Sequence, residues 1–290
     1  MVEGGIMAVT TLNGMNWVSI WEELFEARSK IMQRDYEIED WTKRAEDYSE
    51  SRRTNQWDFG EKVYGILNHH GVVNPGSSIL EVGSGPGTFV IPFARRSRHV
   101  TAVEPAEGMI KKIQQNAQEE GLSNYDILPR IWQDVDLNRI QKQYDLVIAS
   151  TVVWMFKDIM TQIARMEEAA KGYCCVVGGV SSGGSFEGDL WKTIMGATPY
   201  PQYPEYPAIF NLLYQYGRVP QVRIIEYQSV RSFENMFNMY RIFYSIFTDV
   251  TPEIEETIKK ALHEDSGDGP CVRNYRSSVV WWSPSERRNI

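Results

Sequence analysis

The feature that most constrains this chain is an apolar stretch that ends in three closely spaced glycines, Ser78-Ile79-Leu80-Glu81-Val82-Gly83-Ser84-Gly85-Pro86-Gly87-Thr88. Its first half predicts a buried strand. The glycines permit a sharp turn and let a ligand approach where a Cβ would collide. A helix predicted over 88–96 would present its free N–H groups to that ligand. We therefore expect a nucleotide-like ligand here, although an ordinary glycine turn would explain the same letters.

The segments that follow alternate between short apolar strands and amphipathic helices. The pattern predicts strands at 78–82, 99–103, 125–132, 144–150, 173–180, 222–230 and 274–283. It predicts helices at 57–70, 88–96, 107–120, 159–170, 208–216 and 233–247, and a further helix that begins at Pro252. Such alternation is typical of a parallel sheet with right-handed crossovers. Residues 198–207, with four prolines and three tyrosines, predict a loop that passes over another part of the fold.

Two aromatic patterns precede the glycine turn. Spacings of three and four residues predict an amphipathic helix with one apolar stripe, made of Trp17, Ile20, Trp21, Leu24 and Phe25. We expect this stripe to pack on the same chain, with a lid or a homodimer through this helix as alternatives. Trp41 and Tyr48 are seven residues apart, which places both rings on nearly one helix face.

Composition excludes several classes of function. The formal net charge of −8 disfavours sequence-independent binding to nucleic acid or to an anionic membrane. No apolar run reaches the ~18 residues of a membrane span, and no signal peptide is visible. Cys174 and Cys175 would face opposite sides of a strand as buried thiols, which indicates a reducing, cytoplasmic setting. His69 and His70 have no third ligand in reach by sequence, and we predict no metal site.

Three acidic residues follow the ends of consecutive predicted strands, namely Glu81, Glu104 and Asp134. Because parallel strands end at one edge of a sheet, we expect these carboxylates beside the glycine turn. Glu104 lies 17 residues after Gly87, near the ~20-residue offset of a ribose-binding carboxylate. Asp134 could accept a hydrogen bond from an exocyclic amine such as that of adenine. These positions predict a nucleoside-binding edge, with simple solvation as the alternative for each carboxylate.

The spacing of the glycines bears on which nucleoside cofactor is bound. Nicotinamide and flavin cofactors call for G-x-G-x-x-G, whose third glycine lets helix and strand pack closely. Here the third glycine comes one position early, and Thr88 stands where it should be. No Walker lysine follows, which disfavours nucleotide triphosphate hydrolysis. An NAD-type oxidoreductase stays open as an alternative.

Together these motifs resemble those of the class I (Rossmann-like) S-adenosylmethionine-dependent methyltransferases. The similar segments are Leu80-Glu81-Val82-Gly83-Ser84-Gly85-Pro86-Gly87 (first motif), Val103-Glu104-Pro105 with Met109 (ribose-binding strand end), Trp132-Gln133-Asp134 (adenine-reading turn) and Tyr144-Asp145-Leu146-Val147-Ile148-Ala149-Ser150 (fourth strand). The pattern Trp41-x-x-Arg44-Ala45-x-x-Tyr48 also recurs upstream of such domains. The resemblance covers about 41–180 and thins out beyond.

The resemblance implies an α/β fold, a doubly wound, mostly parallel seven-stranded sheet with an antiparallel last strand and helices on both faces. It divides the chain into four predicted regions. These are an N-terminal helical extension or lid (1–72), an S-adenosylmethionine-binding core (73–180), an aromatic-rich substrate cap inserted with one core strand (181–250), and a C-terminal helix with the final core strand (251–290).

The resemblance further implies an enzyme of the EC 2.1.1 class. It would transfer the methyl group of S-adenosyl-L-methionine to a small- or medium-sized acceptor by in-line displacement, leaving S-adenosyl-L-homocysteine. The implied cofactor-binding residues are Glu81, Gly83, Gly85, Gly87, Glu104, Pro105, Met109, Asp134, Val135 and Ser150. Glu81 would lie near the methionine amino group, and Ser150 near the sulfonium. Candidate walls of the acceptor pocket, each of which could instead be structural, are Trp41, Tyr48, Trp154, Tyr240 and Tyr244.

The residues after the fourth strand narrow the subtype. They read Ser150-Thr151-Val152-Val153-Trp154, and so lack the Asn/Asp-Pro-Pro-Tyr/Phe signature of members that methylate amides or adenine nitrogen. They also lack the carboxylate cluster of magnesium-dependent members. Methyl transfer from a sulfonium has no obligatory side chain, so no general base is assigned. Two alternatives remain, a non-catalytic S-adenosylmethionine-binding protein and a protein methyltransferase whose partner docks on the Trp17/Trp21 helix.

Overall fold

The computed structural model describes residues 15–180, 185–204, 206–267 and 269–288. The strands are β1 (Ser78–Val82), β2 (His99–Val103), β3 (Tyr125–Leu128), β4 (Tyr144–Ser150), β5 (Ala170–Gly179), β6 (Gln221–Arg231) and β7 (Cys271–Trp282). The helices are α1 (Trp17–Ile31), α2 (Ile38–Lys43), α3 (Ala45–Thr54), α4 (Asp58–His69), α5 (Val90–Ala94), α6 (Glu107–Glu119), α7 (Ile159–Ala169), α8 (Ser185–Met195), α9 (Tyr206–Gln215), α10 (Phe233–Tyr244) and α11 (Pro252–Ser266). No helix among these residues is long and apolar enough to cross a membrane.

The seven strands form one sheet in the order β3-β2-β1-β4-β5-β7-β6. Strands β1 to β5 pair in parallel, whereas β7 runs antiparallel to both of its neighbours. The predicted fold class, including the antiparallel last strand, is confirmed. After β1, the chain adds β2 and β3 on one side of β1, and it then crosses over to add β4 on the other side. This reversal opens a crevice at the carboxyl ends of β1 and β4, where ligands bind in folds of this kind.

Helices cover both faces of the sheet because alternate strand residues point to opposite sides. One buried cluster joins Leu80 and Cys174 to α7 and α9, and the other joins Ile79 and Cys175 to α4 and α5. Both cysteines are fully buried, on opposite faces, as the sequence predicts. The core therefore lies in two layers, and the functional groups must sit at the edge of the sheet.

Several element bounds differ from the sequence predictions. The predicted strand at 125–132 is wrong beyond Leu128, because Pro129 cannot donate a ladder hydrogen bond and a short 3₁₀ turn follows over Trp132–Asp134. The predicted helix at 88–96 is reduced to α5, and α8 is absent from the predicted pattern. The first fourteen residues of the predicted extension and the first four of the predicted cap lie outside the described residues.

The apolar stripe of α1 packs on the body of the same chain, as expected. Trp21 is 1% exposed, and its indole nitrogen donates a hydrogen bond of 2.7 Å to the carbonyl of Phe156. The backbone nitrogen of Trp17 bonds the side chain of Gln215 in α9 at 3.0 Å. The stripe is therefore not a free surface for a partner. Homodimerisation through α1 remains a prediction, and the packing of this stripe does not support it.

Helices α2 and α3 are held close above the glycine turn. A Cβ on Gly108 would lie 2.8 Å from the carbonyl oxygen of Thr42, so α2 and α6 can approach this closely only with glycine there. The buried Asn116 of α6 donates to Ser49 of α3 at 3.0 Å and to the carbonyl of Pro86 at 2.9 Å. These contacts fix the N-terminal helices, with their aromatic and basic side chains, over the crevice.

Candidate functional site

A cavity of about 500 Å³ lies at the carboxyl ends of β1 and β4. This volume falls within the ~300–1,000 Å³ that is usual for small-molecule sites. Its walls come from α2 and α3, the glycine turn, the ends of β2 and β4, the turn after β3, the proline-rich loop and α10. The cavity therefore occupies the position that the sheet topology assigns to a ligand.

The glycine turn forms the floor of the cavity with bare backbone. Gly83 and Ser84 donate from their backbone nitrogens to the carbonyl of Val103, at 2.9 and 3.2 Å, which ties the turn to the end of β2. Gly85 has a φ of +54°, and a Cβ added there would meet no atom within 4 Å. The space beside Gly85 is therefore empty, and a ligand can lie directly against the main chain.

Glu81 supplies a buried carboxyl group that lacks a full set of partners. It is 1% exposed, lines the cavity, and its Oε2 has no hydrogen-bond partner. Burial raises the pKa of Glu81 well above its usual range, and the backbone hydrogen bond from Val90 offsets this only in part. An ammonium group in the cavity would supply the missing partner and stabilise the ionised form.

Glu104 is held by the turn itself. Its Oε2 accepts from the backbone nitrogen of Gly85 at 2.8 Å, and its Oε1 accepts from that of Ala106 at 2.9 Å. Burial raises the pKa of Glu104 to about 7, although both backbone hydrogen bonds act to lower it. Each oxygen keeps a further lone pair, so the carboxylate can accept from two neighbouring hydroxyl groups.

Four aromatic rings that line the cavity are called the aromatic box, namely Tyr36, Trp41, Trp154 and Tyr203. Tyr36 stacks on Trp41 with centroids 5.6 Å apart and meets Trp154 edge-on at 5.4 Å. Trp154 in turn meets Tyr203 edge-on at 5.2 Å. These contacts make one continuous wall, well suited to a flat ligand.

The aromatic box is anchored by strained backbone just after β4. Thr151 has a φ of +52°, a sparsely populated conformation for a residue with a side chain. Its nitrogen donates to Val177 at 2.8 Å, and its carbonyl accepts the indole N–H of Trp154 at 2.7 Å. The strain is held by these bonds and directs Trp154 toward the cavity.

Three arginines converge on Tyr48 and are called the cationic wall, namely Arg44, Arg52 and Arg231. The guanidinium carbons of Arg44 and Arg231 lie 4.6 and 5.6 Å from the Tyr48 ring centroid. The Nε atoms of all three arginines are buried without a partner, and no described carboxylate lies within ion-pair distance. Burial would raise the pKa of Tyr48, but the three cations lower it below its usual value. Asp47 interacts electrostatically with Arg44 and Arg231 without forming an ion pair. Of the three arginines, Arg44 and Arg52 line the cavity and present their charge to an anion there.

Most of the predicted site residues meet at this cavity. Those that line it are Glu81, Gly83, Gly85, Glu104, Pro105, Met109, Ser150, Trp41, Tyr48 and Trp154. Gly87 does not, because it faces the side chain of Ile91 beneath the turn. Asp134 is exposed and Val135 is buried in the core, and neither lines the cavity. Because the chain turns after Pro129, Ile131, Trp132 and Gln133 line the cavity in place of Asp134 and Val135.

Tyr240 and Tyr244 are not walls of the pocket, and that prediction is wrong. Tyr244 is 1% exposed and stacks on Trp191 of α8 with centroids 5.9 Å apart. Tyr240 packs beside Phe186, at 5.8 Å. Their common stripe on α10 faces α8 and α11, so only Phe243, on the adjoining face, reaches the cavity.

Sequence reasoning missed four residues of the site, namely Tyr36, Arg44, Arg52 and Tyr203. The proline-rich loop was a usable signal, since Tyr203 belongs to it and lines the cavity. Arg44 belongs to the pattern Trp41-x-x-Arg44-Ala45-x-x-Tyr48, but the pattern alone indicates no role for it. That its charge has no carboxylate partner could not be read from the sequence, because ion pairing depends on the folded neighbours.

Comparison with known proteins agrees with this geometry. Residues 79–171 match a family model described as "Methyltransferase domain". An uncharacterized protein of Haemophilus influenzae is 25% identical over 84% of this chain and 88% of its own length. The malonyl-[acyl-carrier protein] O-methyltransferase of Serratia marcescens is 27% identical over 49% of this chain and 52% of its own. The YcgJ protein of Bacillus subtilis, 10% identical, shares the fold with a TM-score of 0.53 over 79% of this chain and 99% of its own.

Proposed function

We propose that this chain, which carries a class I S-adenosylmethionine-dependent methyltransferase domain, methylates a small- or medium-sized acceptor bound in the aromatic box. The observation that carries the proposal is one cavity that joins two different surfaces. The glycine turn with Glu81 and Glu104 and the four rings of the aromatic box all line it. A cofactor and an acceptor can therefore meet inside a single cavity.

The charges that line the cavity fit S-adenosylmethionine. The unsatisfied Oε2 of Glu81 suits the methionine ammonium group, and the cationic wall, through Arg44 and Arg52, suits the methionine carboxylate. Glu104 suits the two ribose hydroxyls. Met109 and Trp132 line the part of the cavity next to Glu104, where the adenine ring would find apolar contact. When bound, the cofactor supplies an electrophilic methyl group.

The protein orients the two reactants and keeps water away from them, and it takes no covalent part in the reaction. Ser150 ends β4 beside the strained Thr151 and lines the cavity. The four rings exclude water from the acceptor and hold it at a fixed distance. Orientation and exclusion of water are the principal aids to an in-line displacement.

Transfer of labelled methyl groups tests the proposal against its alternatives. We expect the protein to bind S-adenosylmethionine in calorimetry and to transfer the label to at least one acceptor of a chemically varied small-molecule panel. Binding of NAD without binding of S-adenosylmethionine would contradict the proposal and support an NAD-type oxidoreductase. Cofactor binding without transfer to any acceptor would indicate a non-catalytic binder. For a protein acceptor, burial of Trp21 in the same chain does not support docking on the Trp17/Trp21 helix.

The raised pKa of Glu104 predicts that cofactor affinity depends on pH. The ionised carboxylate accepts ribose hydroxyls best, and with a pKa of about 7 its ionised fraction rises about tenfold between pH 6 and pH 8. We expect the affinity for S-adenosylmethionine to rise by about the same factor, measured by calorimetry. In Glu104→Gln the affinity should be weaker and should vary less with pH, keeping only the dependence that comes from Glu81, whose pKa is also raised. An affinity that is flat with pH in the unmodified protein would contradict the assignment.

The same shift affects the stability of the cofactor-free protein. Because the folded-state pKa lies above the usual value of 4.5, the stabilising contribution of protonated Glu104 is complete below about pH 4.5. It is lost as the pH rises to about 7. Cofactor binding and folding of the free protein therefore respond to pH in opposite directions.

A further inference from the structure

One tyrosine in the wall of the cavity has a hydroxyl group that is free to bind a ligand. Tyr48 of α3 is half-buried and lines the cavity. Its hydroxyl forms no hydrogen bond with any residue that the structure describes. The hydroxyls of Tyr36 and Tyr203, by contrast, bond each other. Of these three phenolic groups, the one on Tyr48 is therefore left to donate to, or accept from, a bound molecule.

The neighbours of Tyr48 belong both to the end of β2 and to the aromatic box. Its ring packs with Ala106 and Met109, which follow Glu104 in the chain. Burial raises the pKa values of Tyr36 and Tyr203, and the nearby hydroxyl of Tyr48 adds to this effect at both rings. Tyr48 is therefore close to the groups that suit the cofactor and also to the rings that suit the acceptor.

Positive charge around Tyr48 favours the ionised form of its hydroxyl. Burial acts to raise the pKa of Tyr48, but Arg44, Arg231 and Arg52 together lower it, and Asp47 opposes them only in part. If Arg44 and Arg52 also bind the methionine carboxylate, three cations still face two anions. The surroundings of Tyr48 therefore remain positive when the cofactor is bound.

A tyrosinate at this position would select its acceptor by acidity. General base catalysis works best when the two exchanging groups have similar pKa values, and the hydroxyl of a phenol resembles that of tyrosine, with an ordinary pKa of about 10. An aliphatic hydroxyl is much less acidic, and a neutral amine can attack before it loses a proton. A flat ring with a hydroxyl also suits the stacked walls of the aromatic box. The negative charge that develops on its oxygen would be stabilised by Arg44, which lines the cavity.

We propose that Tyr48 is the catalytic base, and that the acceptor is a flat molecule whose phenol-like hydroxyl is methylated on oxygen. This inference rests on the proposed methyl transfer. The acceptor O–H bond breaks, and its proton moves to the ionised oxygen of Tyr48. An oxygen lone pair forms the new O–CH₃ bond while the sulfur–methyl bond breaks, and the bonding pair stays on sulfur. The products are an aryl methyl ether, S-adenosylhomocysteine and neutral Tyr48, which returns its proton to solvent before the next turnover.

Three matched acceptors test the class of the acceptor. 2-Naphthol, 2-naphthylamine and 2-naphthoate share one ring system and differ only in the group that would be methylated. With methyl-labelled S-adenosylmethionine, we expect label chiefly in 2-naphthol, as an ether that withstands mild alkali. Equal or greater label on the amine or the carboxylate would overturn the hydroxyl assignment while the proposed function stands. Cofactor binding without transfer to any acceptor, in this series or in the wider panel, would overturn both.

Tyr48→Phe removes the base and keeps the ring. We expect kcat for 2-naphthol at saturating cofactor to fall about 100-fold, with little change in cofactor affinity. The loss should be much smaller for 4-nitrophenol, which ionises without help at mildly alkaline pH. Tyr216→Phe, outside the cavity, is the matched control and should change nothing. An unchanged kcat, equal losses for the two phenols, or a loss confined to cofactor affinity would each overturn the role of Tyr48 as base.

Arg231→Gln tests the same role without altering the wall of the cavity. Arg231 does not line the cavity, and its guanidinium carbon lies 5.6 Å from the Tyr48 ring centroid. Loss of this charge should raise the pKa of Tyr48, so the increase of kcat with pH should move to higher pH at saturating cofactor. The ultraviolet absorbance of tyrosinate in the cofactor-free protein should show the same displacement, and Tyr48→Phe should lack that component. An unchanged pH profile in Arg231→Gln, shown to be folded by thermal unfolding, would contradict the proposal.

Discussion

Glu81→Gln is expected to stabilise the cofactor-free protein and at the same time to weaken S-adenosylmethionine binding by about 100- to 1,000-fold. The buried carboxyl group has an oxygen without a partner and a raised pKa. An uncharged amide of the same shape avoids the cost of ionisation in this position. It also loses the charge that pairs with the methionine ammonium, and breaking such a buried pair costs about 3–5 kcal/mol, close to that change in affinity.

The pH dependence of unfolding separates this explanation from simple repacking. Since burial raises the pKa of Glu81 in the folded state, its stabilising contribution is complete below its ordinary pKa of about 4.5 and is lost as the pH rises toward the folded-state value. The gain in stability of Glu81→Gln should therefore be larger at pH 7.5 than at pH 4.5, as measured by thermal unfolding. Glu256→Gln, at an exposed position of α11, serves as control. Unchanged cofactor affinity in Glu81→Gln would refute the pairing.

Gly85→Val is expected to abolish most cofactor binding, by about 100-fold, because its side chain fills the space in which the cofactor lies against the main chain. Gly121→Val is a matched control. Both glycines have positive φ values, +54° and +66°, and at neither would a Cβ meet an atom within 4 Å. Both substitutions should cost about 1–2 kcal/mol of stability or more, from the left-handed backbone.

Only Gly85 lines the cavity and donates to Glu104, so only its substitution should affect calorimetric binding. A similar loss of affinity in both variants would show that backbone strain, rather than the filled space, is responsible. Retained affinity in Gly85→Val would contradict the placement of the cofactor on the turn.

The parts of this site that the sequence predicts well are those that depend on short stretches of chain. The bounds of β1, β2 and β4 follow from apolar runs, and the carboxylates at the ends of β1 and β2 meet the glycine turn because parallel strands end at one edge. Glu104 is the clearest case, since its offset from the glycines reflects the length of a strand–helix–strand unit.

Other parts depend on how distant segments pack, and sequence patterns say little about them. The aromatic stripe of α10 has the same spacing whether it faces a pocket or a helix, and α8 decides the matter by placing Trp191 against Tyr244. Asp134 lies outside the site, contrary to the prediction, because β3 ends before Pro129. Trp154 is held in part by Arg28 of α1, whose Nη2 donates to its carbonyl at 2.7 Å although the two residues lie more than a hundred positions apart in sequence.

The most direct test of the central claim is a crystal structure of the chain with S-adenosylhomocysteine bound. We predict that the amino nitrogen lies within hydrogen-bond distance of the Glu81 carboxylate, that both ribose hydroxyls bond Glu104, and that the sulfur faces the aromatic box. A ribose away from Glu104, or a Glu81 carboxylate still without a partner beside the bound ligand, would contradict the account.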